Sequence, residues 1–529
     1  MKKTLLLMGM LLTFFFAFML NNKAEVPFKS GTEVPRYVLL EGFTASTCGP
    51  CYNGNLNLKN VLAQNDAVGG KYTLIKYQTG GPSPGDPYYT QEVGQRGTFY
   101  SNQYVPWLYR DGTQNGNTGS FTHTQLLNLQ NTPSYVEVTG SYRVVGQTVT
   151  STIIIKPTTN ISGGNNLKLF VAIVEKETYK NKKSNGETVF YQVMKKFMPN
   201  ANGIILGDLT ANEVITHELE WEFKGCYRLP ANASQAINHT IEHSVEDFKN
   251  LEVVAWVQNI STKEVFNSGT AINETILYPV NFNVANGNGT ITAQTNCNTI
   301  TLNSGDKTVS GAAIKFTATP NTYYKVKEWI LNGEIVPGHT DNVFTTTLTG
   351  EMTVTVAFEK NNKTVNYGVI NGNGTLTATV NGKPVNSGDE VEKHSVIEFT
   401  AEPANGYIVK EWTLNGVTVA DNVTNNYSLV IEDDATVSVE FEKMEGINPN
   451  NLLAVGIFPN PFTNELTLKN VEHVRKITIT NALGQIVKEE ILTGNTTTVI
   501  STQNFSTGIF FITLKNTEGY EVTMKIVKN

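Results

Sequence analysis

At 529 residues, 40% of them hydrophobic and 16% charged, the chain has material for three or more domains with buried cores. A formal net charge of −7, with Lys and Arg scattered rather than clustered, offers no basic face and excludes a nucleic-acid partner. Four cysteines are too few for a disulfide framework in so long a chain, and the abundance of Gly, Thr and Asn points to β structure.

Residues 1–24 read as a secretory signal peptide. Lys2 and Lys3 form a positive start, an apolar run extends from Leu5 to Leu20, and Asn22-Lys23-Ala24 ends in a small residue suited to cleavage. The alternative is an uncleaved anchor, against which the run is short for a membrane span. No later stretch is apolar enough to cross a bilayer, and the signal peptide implies export from the cytoplasm.

Residues 30–132 alternate strand and helix patterns. The apolar run Tyr37 to Leu40 precedes a helix after Cys51, whose buried stripe is Leu58, Val61 and Leu62. A strand over Tyr72–Tyr77, another over Trp107–Tyr109, a turn at Asp111-Gly112 and a helix over Thr124–Leu129 complete an α/β unit. Residues 133–274 read as strands only, among them Val144–Ile155, Leu167–Val174 and Leu251–Val257, which predicts a β-sandwich. Within it, His239-Thr240-Ile241-Glu242-His243 matches an inverted zinc-peptidase string. Ile237 to Val245 alternates as a strand would, which argues against the helix that motif requires. Cys226 and Cys297 stand singly in different modules and read as buried, inert thiols.

Two tandem repeats follow, over residues 278–360 and 364–443. Phe316, Lys327 and Thr353 open segments that return at Phe399, Lys410 and Thr436, a constant offset that marks duplication. Trp329 and Trp412 are the expected core anchors. The repeats resemble internalin-type B-repeats, small β-rich folds that serve as spacers or weak adhesive units. A Gly/Asn/Pro linker over 444–454 leads to residues 450–529, where Ile457 to Thr463, Ile477 to Val487 and Gly508 to Leu514 resemble the type A sorting domain of the type IX secretion system. That resemblance implies a small β-sandwich, engagement of the type IX machinery, and passage across the outer membrane. Attachment to surface lipopolysaccharide, or release, would follow.

The chemistry lies in Cys48-Gly49-Pro50-Cys51, between a strand and a helix. Unpaired N–H groups and the positive end of the helix dipole favour a thiolate on the first cysteine, and the second, one turn on, can resolve a mixed disulfide. Two readings remain open: dithiol chemistry, or a structural disulfide. A zinc site lacks its four ligands, and no metal or cofactor is expected. The four residues match the thioredoxin active-site motif, and Val105-Pro106-Trp107 to Gly112 resembles the thioredoxin segment in which a cis-proline faces the cysteine pair. By that resemblance Cys48 and Cys51 are catalytic, Val105 and Pro106 meet the substrate, and the partners are thiol- or disulfide-containing proteins. Residues 36–272 resemble more closely the twenty-eight-kilodalton outer-membrane-protein family, in which a thioredoxin-like domain precedes a β-sandwich. The sequence departs from thioredoxins where Gly42 replaces a buried carboxylate six positions before the first cysteine, and where Thr47 replaces Trp. Glu41 is one residue off and is expected on the opposite face of the strand.

The expected fold is therefore multidomain and mainly β: an α/β thioredoxin-like domain, a β-sandwich, two β-rich repeats and a β-sandwich sorting domain. The expected function is exported thiol–disulfide exchange. A surface binding or adhesion protein that uses the same fold only as scaffold is the alternative.

Overall fold

The computed structural model describes residues 31–295, 297, 300–444 and 450–529. The signal sequence over 1–24 lies outside the described residues. The chain divides into two units, residues 1–360 and 361–529, and both are built mainly of strands.

The first unit begins with β1 (Val38–Thr44), α1 (Gly49–Asp66), β2 (Tyr72–Gln78), α2 (Gln91–Tyr100), β3 (Trp107–Arg110), β4 (Gln114–Asn117) and α3 (His123–Gln130). It continues with β5 (Val136–Val145), β6 (Thr148–Pro157), β7 (Leu167–Thr178) and β8 (Phe190–Met198). β1 is buried along its whole length because both of its faces are covered. Val38 and Leu40 pack on Leu58, Val61 and Leu62 of α1 and Leu126 of α3. Leu39 and Phe43 face the other way, onto Val93 and Tyr100 of α2.

Two expectations need correction. Val144–Ile155 is not one strand: the backbone turns at Gly146, where φ is +57°, and β5 and β6 pair as a hairpin. Strand alternation on both sides of a two-residue turn had merged them. More consequentially, the α/β region and the sandwich do not have separate sheets. One sheet runs Val265–Thr270, Leu251–Asn259, β7, β8, β2, β1, β3, β4. β8 joins β2 in parallel at Val193 and Lys76. A second sheet of Ile215–Glu222, β6, β5 and Ile272–Asn273 lies within the same hydrophobic core as β7 and Leu251–Asn259.

The repeats share one strand order. In each, the first strand pairs in parallel with the last, Val280 with Met352 and Val365 with Ala435. The same bulge recurs at Val326/Glu328 and Val409/Glu411. Trp329 and Trp412 are fully buried, and each indole N–H donates 2.9 Å to a loop carbonyl, of Asp341 and Thr424 respectively. The first repeat shares the sandwich's core and is tied to it by a Cys226–Cys297 disulfide, so these cysteines are neither free nor, being exposed, buried thiols. In the second unit, the expected linker contains a short helix, Asn450–Leu453, whose Leu452 is buried in the C-terminal core. That core lies between the sheets Gly456–Phe458, Glu465–Lys469, Thr497–Ser501 and Ile486–Ile491, Val474–Asn481, Gly508–Asn516, Glu521–Lys528.

Candidate functional site

Cys48 caps the N-terminus of α1, with Pro50 in its first turn, where a missing N–H costs nothing. Cys51 opens the buried stripe of that helix, followed by Asn55, Leu58 and Leu62. The two sulfurs are bonded to each other. Cys48 exposes 2% of its surface and Cys51 none. Only Cys48 reaches the wall of an open groove of about 850 Å³ between Gly49-Pro50, the loop Thr79–Pro82 and the glycine face of α2. No Asp, Glu, Lys or Arg lines that groove.

Val105 packs against Ala45, Cys48 and Cys51 and also lines the groove. Pro106, after a cis peptide bond, is buried beside α1. That approach depends on Gly54: a Cβ there would come within 2.9 Å of the Pro106 ring. Gly54 therefore has a packing role in the site. The four residues singled out in the sequence therefore converge.

Other residues around the pair come from farther along the chain. The turn before Cys48 is clamped by Asp86, which accepts from the Ser46 N–H at 2.8 Å, and by Asn185, whose amides donate to the Ser46 and Ala45 carbonyls. Thr47 donates its hydroxyl to the Pro82 carbonyl. Gly42 lies in register with Lys76 of β2, and a Cβ on it would meet nothing closer than 3.8 Å. Lys76 is buried, and burial holds its ammonium at about 8, with Glu187 opposing the shift. Glu187, between β7 and β8, is buried as well. Its carboxylate accepts from Asn55 Nδ2 at 3.2 and 3.0 Å and from Asn185 Nδ2 at 3.3 Å. Burial raises its pKa, with Lys76 acting against the rise. Nothing in the polar segment around Glu187 marked it in the sequence.

Glu41 does point to the opposite face. Its oxygens are gripped by Arg96 Nε and Nη2 at 2.7 and 3.0 Å and by the hydroxyls of Tyr77 and Tyr100. The His239–His243 string is a turn, not the expected strand; only Glu242–His243 forms a short pair, with Cys226–Tyr227. Asn238 closes that turn through Thr240, and His243 is buried against Phe223 and Phe248. Among the described residues no group of three metal-ligating side chains converges.

Residues 456–529 match the secretion system C-terminal sorting domain, and residues 279–362 and 368–445 match the divergent InlB B-repeat domain. The protein is exported to the cell surface or secreted. Its sorting domain implies engagement of the type IX secretion machinery. No curated protein matches the chain. Among solved structures it is similar to HBP35 of Porphyromonas gingivalis, at 14% identity and a TM-score of 0.37, over 59% of this chain and 98% of that one. It is also similar to AGR_C_4864 from Agrobacterium tumefaciens, at 14% identity and a TM-score of 0.30, over 46% of this chain and 98% of that one. Likenesses so distant carry no functional argument.

Proposed function

We propose that residues 36–274 form a thioredoxin-like thiol–disulfide exchange unit, displayed on the cell surface or released. Cys48 is the attacking thiolate, Cys51 the resolving thiol, and Val105 with Pro106 the substrate-facing wall. The observation that carries this reading is the asymmetry of the bonded pair, with Cys48 on an open groove and Cys51 behind it in the helix. The strand arrangement supports it. β8, β2 and β1 run parallel, β3 and β4 follow antiparallel, and α1 with α3 cover the face opposite α2. So does the helix end: α1 has 18 residues and no acidic side chain in its first turn, which leaves its positive end free to stabilise a Cys48 thiolate.

In the reducing direction the Cys48 thiolate attacks a substrate disulfide, forming a mixed disulfide and expelling one substrate thiolate. Cys51 then loses its proton and attacks Cys48 Sγ, which releases the second substrate sulfur and leaves the Cys48–Cys51 bond. In reverse, the oxidised pair takes two electrons from a substrate dithiol. The partners are cysteine-bearing proteins of the cell exterior, the repeats act as spacers, and sorting ends in attachment to surface lipopolysaccharide or in release.

Cys51→Ser should trap mixed disulfides through Cys48, whereas Cys48→Ser should abolish both trapping and insulin reduction. Equal alkylation of both thiols, with nothing trapped by either variant, would instead favour a scaffold used for binding or adhesion.

A further inference from the structure

Cys51 is fully buried, so the proton it must lose before it attacks Cys48 cannot pass directly to bulk water. β1 supplies no acceptor on that face, because Gly42 stands there, and Glu41 is committed to Arg96 on the other face. Asp86 is buried nearby, but its oxygens hold the Ser46 and Tyr88 backbone N–H groups and fix the loop. Glu187 differs from Glu41 in that its donors are neutral amides, and from Asp86 in that a cation, Lys76, bears on it, without gripping both of its oxygens. Asn55, which binds it, lies one turn beyond Cys51 on the same buried stripe of α1. Asn185, which also binds it, holds the carbonyl of Ala45, the residue packed against both cysteines.

Resting on the exchange reading above, we propose that Glu187, carried in from the loop between β7 and β8, is the proton acceptor for the Cys51 thiol. In the resolving step the Cys51 S–H proton passes to the Glu187 carboxylate. The Cys51 thiolate then forms the bond to Cys48 Sγ, and the substrate thiolate leaves with the electron pair. The carboxylic acid so formed returns its proton to solvent, and Lys76 stabilises the anion that remains. Burial, which favours the protonated carboxyl, makes Glu187 a better acceptor than an exposed carboxylate. The charged groups that bear on its titration are Lys76 from β2, Lys59 from α1 acting through Lys76, and Asp86 from the loop after β2. The shared sheet then has a functional meaning: the sandwich completes the site that β1 leaves open.

The test uses the full-length mature chain carrying Cys226→Ser and Cys297→Ser, so that reduction frees only Cys48 and Cys51, with Ellman's reagent as the probe. Attack by Cys48 releases one thionitrobenzoate, and attack by Cys51 on the resulting mixed disulfide releases a second, so the two steps appear as two phases. Glu187→Gln should leave the first phase unchanged and slow the second at least tenfold at pH 7. Its pH profile should move to the alkaline side, towards or above the free-thiol value of about 8.5. Glu187→Asp should keep most of the rate. Adding Gly42→Asp to Glu187→Gln should restore the second phase, since there is room for a Cβ beside Lys76. An unchanged second phase and pH profile in Glu187→Gln would overturn the proposal while leaving the exchange reading intact. Parallel loss of both phases in Glu187→Gln and Glu187→Asp would make the residue structural and also overturn it. A parent protein with no second phase at all would remove the exchange reading and this proposal together.

Discussion

Replacing Arg96 with Met tests whether the buried carboxylate of β1 is structural and separate from the thiols. Arg96 exposes 2% of its surface and Glu41 none. The guanidinium makes two bonds to the carboxylate and one, at 2.7 Å, to the Gln258 side-chain carbonyl, while the rings of Phe99, Tyr100, Phe170 and Trp256 surround it. Removing one partner of a buried ion pair costs about 3–5 kcal/mol, because the other charge is left without compensation. The hydroxyls of Tyr77 and Tyr100 still donate to Glu41, which puts the expected loss near the lower bound, about 3 kcal/mol. Adding Glu41→Leu should recover much of that loss, since the unpaired charge disappears with it. The assay is urea denaturation of the mature chain, with unfolding around Arg96 followed by hydrogen exchange of the β1 and α2 amides, reading the midpoint at constant slope. Both phases of the thiol reaction should keep their rates in the refolded Arg96→Met protein. A loss below about 1 kcal/mol, or a slowed second thiol phase, would refute the division of labour between Glu41 and Glu187.

Breaking the Cys226–Cys297 bond with a double Ser variant should destabilise the first unit by about 2–4 kcal/mol, given a sequence separation of 71 residues. Denaturation of that variant beside the parent gives the value. Burial holds His239 and His243 near 4, so folding stability falls as pH drops from the unfolded value of about 6.5 towards 4, by up to about 1.4 kcal/mol per unit for each group. Burial of Glu175 raises its carboxyl to about 7 and acts in the opposite sense over about 4.5–7, so the readout is the flatter acid slope of His243→Gln relative to the parent. Deleting residues 456–529 should leave the protein in the periplasm, as fractionation and surface labelling would record. Normal surface amounts of the tagless protein would contradict the sorting assignment.

What could be read from the sequence was local. The stripe Leu58, Val61, Leu62 fixed α1 behind β1, the repeat offset anticipated Trp329 and Trp412 as paired core anchors, and the alternation of β1 turned Glu41 away from the cysteines. What could not be read depended on distant parts of the chain. β2 is apolar enough for a sheet interior, but nothing in its seven residues names β8 as its neighbour. Glu187 sits in a stretch of Asn, Lys, Ser and Gly that by composition is a solvated loop, and it is buried only because Asn55 and Lys76 meet it from two other elements. Cys226 and Cys297 looked solitary because a disulfide needs nearby Cα atoms, here 5.5 Å apart, and not nearby sequence positions. The His239–His243 string showed the reverse failure: apolar alternation over so short a span was overridden by Asn238, whose side chain closes a turn.

Thiol–disulfide exchange requires the Cys48–Cys51 bond to pass electrons to and from protein thiols. The most direct measurement is a redox titration of the full-length mature chain against dithiol buffers, with each cysteine pair followed by alkylation and peptide mapping. One reversible two-electron couple is expected at Cys48–Cys51, within the span of about −120 to −270 mV covered by exchange proteins. A Cys48–Cys51 bond that stays oxidised below about −300 mV, as structural disulfides do, would contradict it.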